Sequence, residues 1–590
     1  MTSAFARAQQ RWELARLGAF SAERAFEWLR GLALVLVSGV ALIVTPQLGI
    51  GNEAYTVGKV LVLGVLALVA LSTLLPARAL RIPLAGWLLA AYWLHGVASA
   101  LTGAQPLSMS SLALLPELCA GVVMAATAFG TRDEPARRAL VLDAIVVAAT
   151  LMSLVALAEA LGVSLPWAGA RRPHSTLGNR NFVGAEAAIA AAIAWGRCLA
   201  RPSALKLAGL SVLIAAVGLS RCRSAWLGVF VAAIVSCGAV WLVPQARAKL
   251  TRRNLRRPAL ATAAAVGALL AVALLPWPGL RWTDSASPMS NTLARMTEYQ
   301  KGTGRERLAD LSLAAVQALE HPILGVGPRG WDDAASSRAH LISGRHATPQ
   351  HFWATPNSDL ARTLGERGIL GLGLLLAAIG AVAEATWRGL RSPRWHEHLP
   401  LVAPLSVFAV NAALDAPLFR PSSLLLAALL LGVTGNWRGA KPLRVPAFAW
   451  RGGLLLLAIL IATGTSLRVV AATTIARAPD DPVHLERAQA LFWRSDVAEV
   501  LTLKLARAGR CSEAESVGAE AMSVSPHHWG VPHALAGCFH ERGDLEQARA
   551  FARRRDEIEP HVAALFRDDA DLASGYEREG GVESMVSPSN

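Results

Sequence analysis

The sequence predicts an all-α, polytopic membrane protein of about twelve to thirteen spanning helices, with one long loop before the last spans and a C-terminal α-solenoid. Three observations carry this. Of 590 residues, 53% are hydrophobic and only 17% charged, more apolar surface than a soluble chain needs to fill its core. Apolar runs of about eighteen residues recur up to residue 466, long enough to cross about 30 Å of hydrocarbon with every backbone polar group paired inside a helix. Beyond residue 466 the runs stop and a repeat with a period of 34 residues begins.

In chain order the runs fall near 31–47, 57–75, 82–100, 112–130, 139–161, 182–199, 205–220, 225–243, 258–276, 368–387, 399–415, 420–436 and 447–466. The first follows the polar stretch RAQQRWELARLGAFSAERAFEWLR and is too long for a signal-peptide core, so it reads as an uncleaved anchor behind a cytoplasmic segment 1–30. The net charge of +15 is unevenly spread. PARALR, TRDEPARR, RCLARPSALK, QARAKLTRRNLRR, WRGLRSPR and NWRGAKPLR occupy every second loop, and the positive-inside rule makes these loops cytoplasmic. A pI near 10.4 therefore reflects topology rather than nucleic-acid binding. The loop 162–181, the long loop 277–367 and the tail from 467 then lie on the outer face.

The turn in LSRCRSAWLGVFVA, which holds Arg221 and Arg223, also faces outward, where few basic residues are expected. A guanidinium beside hydrocarbon is costly unless it meets an anion or a polar cavity, so an anion is the better account of the pair. In RRPHSTLGNRNFVGAEAAIAAAIAWG, Arg180 and Asn181 stand at the start of a helix, which is either an anion-binding N-terminus or a re-entrant turn that only caps the helix. In the long loop, GTGRERLADLSLAAVQALEHPILGVGPRGW reads as an amphipathic helix over 305–320 followed by a Gly/Pro turn. Arg305 and Arg307 open that helix, and without strand context the glycines make a weak nucleotide loop.

In the tail, Leu501, Leu505, Gly509, Ala514 and Pro526 recur as Leu535, Phe539, Gly543, Ala548 and Pro560. The pattern resembles tetratricopeptide repeats, which implies helical hairpins over 467–575 and a degenerate flanking pair near 480–495, ahead of a disordered end at 576–590. Cys511 and Cys538 read as two independent buried thiols, with a bridge between repeats as the alternative. The other four cysteines lack metal-ligand spacing, and no metal or cofactor site is expected.

Taken together, STLGNRNFVGA, SRCRSAWLG (with Arg223 and Leu227 in an Arg-x-x-x-Leu pattern), HPILGVGPRGW, NSDLARTLGERGILG and NAALDAPLFRPSSLLLAALLLG resemble the O-antigen ligase and polymerase superfamily over roughly residues 30–440. The resemblance implies a metal-independent glycosyltransferase in the bacterial inner membrane. Its donor would be a polyprenyl-pyrophosphate-linked glycan on the periplasmic face, passed to a lipid or protein acceptor. Such a donor needs a cationic pocket for pyrophosphate; Arg223 is the first candidate, with Arg221, Arg180, Asn181, Arg305 and Arg307 in support.

Family members place a His eleven residues before the Gly that opens the helix after the long loop. Here that position is Asn357, counted back from Gly368, and Asn cannot take a proton. His351 or His346 from the same loop is the candidate replacement. Glu366 matches the family pattern, as an orienting partner or as a charge favoured by a helix N-terminus. Three readings follow: transfer of a lipid-linked glycan, polymerisation of lipid-linked repeat units, or a non-catalytic scaffold that binds glycan or envelope proteins through its repeats. A transporter fits less well, because the two halves show no internal symmetry.

Overall fold

A computed structural model of the chain describes residues 56–558 apart from loop stretches, the longest being 281–291, 293–301 and 336–355. The first expected span at 31–47, the segment 1–30, His346, His351 and the end at 576–590 lie outside the described residues. The described helices of the bundle are α1 (Val57–Leu74), α2 (Leu84–Thr102), α3 (Leu107–Thr131), α4 (Pro135–Ala160), α5 (Arg180–Ala200), α6 (Ala204–Ser220), α7 (Arg223–Leu242), α8 (Arg252–Leu274), α9 (Gly302–Glu320), α10 (Asp359–Arg391), α11 (Trp395–Leu414), α12 (Pro421–Thr434) and α13 (Ala447–Arg477). The tail adds α14 (Pro482–Leu491), α15 (Ser495–Arg507), α16 (Cys511–Val524), α17 (Gly530–Glu541) and α18 (Leu545–Ile558).

Ten of these helices are long and apolar enough to cross a membrane, and α6 and α12 are shorter apolar helices. Together they account for each expected run from 57 onward, so the chain is a multi-pass helical membrane protein. Its outward faces carry large apolar side chains such as Leu94, Phe230, Trp241, Leu270 and Leu456, a surface suited to lipid and not to water. The centre of the bundle is α5, whose alanine-rich stretch Ala185–Ala194 is buried throughout, because small side chains let neighbouring helices approach closely without a hydrophobic driving force between them.

The helices alternate direction, which sorts the loops into two ends. At one end Arg138 pairs with Glu397 at 2.9 Å, Arg197 pairs with Asp143 at 2.7 Å, and Leu80–Arg81 forms a short antiparallel pairing with Pro442–Leu443. These residues belong to the basic loops. At the other end the α4–α5 loop, the α6–α7 turn, the long loop, the α11–α12 turn and the tail come together.

The tail is built as helical hairpins. Gly509 and Gly543 take left-handed φ values of 72° and 84° where each hairpin turns, a conformation glycine adopts without steric cost. Leu501, Leu505, Leu535 and Phe539 fill the layer between them. In place of the expected flanking helix pair, the single helix α14 packs on the extended end of α13, so the membrane helix itself caps the stack. The two cysteines depart from the reading as independent thiols: Cys511, opening α16, and Cys538, near the end of α17, stand with Cα atoms 5.7 Å apart and form a disulfide. Adjacent hairpins bring these helix ends into register, which a linear spacing does not reveal.

His533 in α17 is buried and accepts a hydrogen bond from Arg555 Nη1 at 3.4 Å. Burial first, and then the neighbouring guanidinium, push its pKa down to about 4 from 6.5. The folded tail thus holds this imidazole neutral. Its contribution to stability is complete above pH 6.5 and is lost as the pH falls toward 4, up to about 3 kcal/mol. Protection of α17 and α18 against hydrogen exchange in the full chain, taken relative to the intrinsic exchange rate at each pH, is expected to fall between neutral pH and about pH 5, and His533→Gln is expected to flatten that dependence.

Candidate functional site

At the loop-rich end, the α4–α5 loop is held from three directions. Glu159 at the end of α4 meets His174 Nε2 at 3.0 Å and accepts the Ser175 backbone N–H at 3.0 Å; Ser175 Oγ donates to the Met152 carbonyl at 2.7 Å; and Lys59 Nζ donates to the Thr176 carbonyl at 2.8 Å. Each bond satisfies a polar group that would otherwise be stranded beside apolar helices. The loop so fixed delivers Arg180 and Asn181, both half-buried, as the first residues of α5.

Arg221 ends α6 in a left-handed conformation (φ 54°) and Arg223 opens α7, both half-buried. This turn lies directly against α5. A Cβ on Gly184 would collide with Ser220 Oγ and come within 2.7 Å of Cys222 Cβ, so the contact between the two arginine-bearing segments requires glycine at 184. The segment that opens with Arg180 and Asn181 and the turn that bears Arg221 and Arg223 are therefore in contact at Gly184.

A further cation lies beneath them that the sequence reading did not single out. Arg420, in the α11–α12 turn, stacks its guanidinium 3.4 Å from the centroid of the Phe182 ring and donates from Nη2 to Asp415 Oδ1 at 2.8 Å. It is 7% exposed, and its Nη1 has no hydrogen-bond partner among the described residues. Asp415 Oδ2 and Asp359 Oδ1 are likewise buried without a partner there, while Asp359 Oδ2 accepts the Leu418 N–H at 2.8 Å. Glu186, bonded to Ser423 Oγ at 3.1 Å, closes the inner wall. The buried guanidinium of Arg420 thus keeps a donor for a further hydrogen-bond acceptor.

A second cluster adjoins the first through Phe419, whose ring centroid is 4.4 Å from Arg329 and 5.4 Å from Arg362. Glu366 is buried, lies 3.8 Å from Arg362 and is bonded by the Arg329 backbone, so it is part of the interior rather than an exposed helix-terminal charge. Arg367 grips Glu117 of α3 at 2.7 and 2.6 Å, donates to the Tyr92 carbonyl at 3.1 Å and covers the Tyr92 ring at 4.0 Å.

The turn HPILGVG is laid backbone to backbone against the start of α10. Val326 N–H donates to Gly365 O at 3.0 Å, Gly327 N–H to Glu366 O at 3.0 Å and Ile369 N–H to Pro322 O at 2.8 Å. Across this seam Gly325 (φ 68°) lies against the Glu366–Arg367 backbone and Gly368 (φ 65°) against the Pro322–Ile323 backbone. Ser99 Oγ and His95 Nε2 hold the same turn to α2 through Leu324 O at 2.6 Å and Ile323 O at 3.0 Å.

Asn357 stands just before α10 and is tied to α9: its backbone N–H and Nδ2 both donate to Asp310 Oδ2, at 2.8 and 3.1 Å. An asparagine amide can hold that carboxylate in place but cannot itself accept a proton. Arg307 is half-buried on α9; Arg305 belongs to the same helix, with its side chain outside the described residues, as is His351. Among the described residues no group of three or more His, Cys, Asp or Glu gathers as a metal site would require.

Fold and site together define a multi-pass helical membrane protein with buried cations collected at one end of the bundle, under a helical tail. The profile of the O-antigen ligase family matches residues 208–376, from α6 into α10, and supports the O-antigen ligase superfamily and a glycan-transfer role for this chain. That interval contains Arg221, Arg223, the HPILGVG turn and the α10 segment laid against it. No curated protein matches the sequence.

Proposed function

We propose that the protein transfers a polyprenyl-pyrophosphate-linked glycan to an acceptor at the loop-rich end of its bundle. The observation that carries this reading is that the segment opening with Arg180 packs at Gly184 against the turn that bears Arg221 and Arg223, while the buried guanidinium of Arg420 stacks on Phe182 of that same segment, in a bundle whose outer surface is made for lipid. A pyrophosphate leaving group gains negative charge as the glycosyl bond breaks. Preorganised guanidinium groups in a site with little water stabilise that charge in the transition state more than in the ground state. Arg223 is assigned the pyrophosphate, with Arg221, Arg180 and Asn181 in support and Glu366 fixing Arg362.

Two features support placing this end on the periplasmic side. The basic loops gather at the opposite end, as the positive-inside rule requires of a cytoplasmic face. The Cys511–Cys538 disulfide belongs to the tail, and disulfides persist in oxidising compartments. The repeat hairpins resemble tetratricopeptide modules, whose concave faces take peptide or protein, which favours a protein acceptor or an envelope partner.

The test compares a deletion strain carrying wild type with one carrying Arg223→Ala, separating surface glycans from carrier-linked glycans on gels. Loss of one preorganised donor is expected to lower transfer by about a hundredfold or more at normal protein abundance. Long chains that accumulate on the carrier while the acceptor stays bare mark a ligase; single repeat units alone mark a polymerase. Unchanged glycan pools in the deletion strain overturn the transfer reading for those glycans and favour the scaffold.

A further inference from the structure

Where α10 begins and α11 ends, three polar atoms have no hydrogen-bond partner among the described residues: Asp359 Oδ1, Asp415 Oδ2 and Arg420 Nη1. Each of these residues is less than a tenth exposed. Their other atoms tie them into one junction. Asp359 N–H donates to the Asp415 carbonyl at 3.1 Å, and Leu418 N–H donates to Asp359 Oδ2 at 2.8 Å. Arg420 Nη2 and Ala416 N–H both donate to Asp415 Oδ1, at 2.8 and 2.9 Å. One donor and two acceptors are left over at this buried junction.

A buried polar atom without a partner is costly, so the junction suits a group that meets these atoms. An anion is repelled by the two carboxylates. A hydroxyl fits, because its O–H donates to a carboxylate while its oxygen accepts from the guanidinium. The junction also adjoins the arginine-bearing segments: Arg420 stacks on Phe182, two residues past Arg180, and Cys222, between Arg221 and Arg223, is in electrostatic reach of Asp415 and Arg420. The apolar chamber of about 640 Å³ between α2, α3, α12 and α13 offers a hydroxyl no such carboxylate, since both oxygens of Glu117, which lines it, take Arg367.

We infer that this junction takes the hydroxyl of the acceptor and that Asp359 is the base that receives its proton, the role the family resemblance gives to a histidine at position 357. The inference rests on the transfer reading above. Asn357 cannot serve, and its N–H and Nδ2 are committed to Asp310. Asp415 is committed to Arg420, which leaves Asp359 as the carboxylate for the proton. Nor is Asp359 needed to cap α10, because Ser358 Oγ already accepts the Ala361 N–H at 3.3 Å. Arg362 and Arg420 act electrostatically on Asp359 and balance the charge that a base carries before the reaction. In the step, the hydroxyl oxygen bonds to the anomeric carbon of the glycan and its proton moves to Asp359 Oδ1. The bond from that carbon to the pyrophosphate oxygen breaks, and its electron pair leaves on the pyrophosphate of the carrier.

The test reconstitutes purified full-length wild type, Asp359→Asn and Asp359→Ser with membranes of the deletion strain, which supply carrier-linked glycan and acceptor, with and without sodium azide. A thermal melt of each protein verifies folding. Each variant is expected to lower transfer to the acceptor at least about a hundredfold. Azide attacks without giving up a proton, so each variant is expected to form glycosyl azide from the carrier-linked glycan well above its residual transfer. Either variant that folds decides the matter. A folded variant that transfers at the wild-type rate overturns the base assignment and leaves the transfer reading intact. A folded variant that loses transfer and forms no glycosyl azide overturns it in favour of a structural role for Asp359. Wild type that moves glycan neither to the acceptor nor to azide defeats the transfer reading itself.

Discussion

Gly325→Ala is expected to abolish transfer and to reduce the amount of folded protein. At φ 68° a side chain is already strained. The added methyl would also be driven into the Glu366 carbonyl carbon and the Arg367 nitrogen, which are backbone atoms that no rotamer change can clear. The loss is estimated at about 3 kcal/mol or more, since both penalties fall on one residue. Gly368→Ala meets the same seam from the other side, with Pro322 O at 2.5 Å and Ile323 O at 2.7 Å from the new Cβ. The seam positions Glu366, Arg367 and Arg362, so its failure removes the charge cluster along with the turn. Gly373→Ala is the control: it lies on the same helix, has an ordinary φ and faces open space, and is expected to leave both activity and abundance unchanged. Abundance of the membrane-embedded protein and carrier-linked glycan on gels check all three.

The spans were legible because membrane insertion is a local property: a run of apolar residues long enough to satisfy its own backbone needs no knowledge of its neighbours. The hairpin period was legible for the same reason, since each repeat writes its own turn glycine. The HPILGVG and GERGILG motifs stood out singly, yet what they do is visible only when Gly325 and Gly368 are seen across one seam. Arg420, Arg362, Arg367 and Glu117 gave weaker signals. Glu117 and Arg420 are single charges in or beside an apolar helix, Arg362 and Arg367 are part of the mixed-charge segment DLARTLGER, and Arg367 finds Glu117 across 250 residues of chain. A rule does reach such residues: an ionisable side chain inside a spanning segment is costly enough to imply a partner or a function. Applied to LCAGVV-flanked Glu117 or to the FRPSS arginine, it would have marked both positions without naming their partners.

Arg367→Met separates the cost of losing a charge from the cost of losing a pair. The wild-type guanidinium is 1% exposed on its side chain, bonds both Glu117 oxygens and lies over the Tyr92 ring. Methionine fills much of the same volume but leaves the Glu117 carboxylate facing an apolar chamber without its bidentate partner. Removing one member of a buried pair typically costs about 3–5 kcal/mol, most of it the penalty of the stranded charge rather than the worth of the bond. Glu117→Gln alone strands Arg367 and is expected to cost a similar amount. The double variant Arg367→Met with Glu117→Gln removes both charges, and is expected to recover most of the loss seen in either single variant. Thermal unfolding of the purified full-length protein checks this cycle. If the two single losses instead add in the double variant, the residues act independently and the bidentate pair is not what stabilises the α3–α10 contact. Transfer activity of a double variant that folds answers a different question: activity near wild type assigns the pair to scaffolding, while a stable but inactive double variant assigns it to holding Arg362 where an anion meets it.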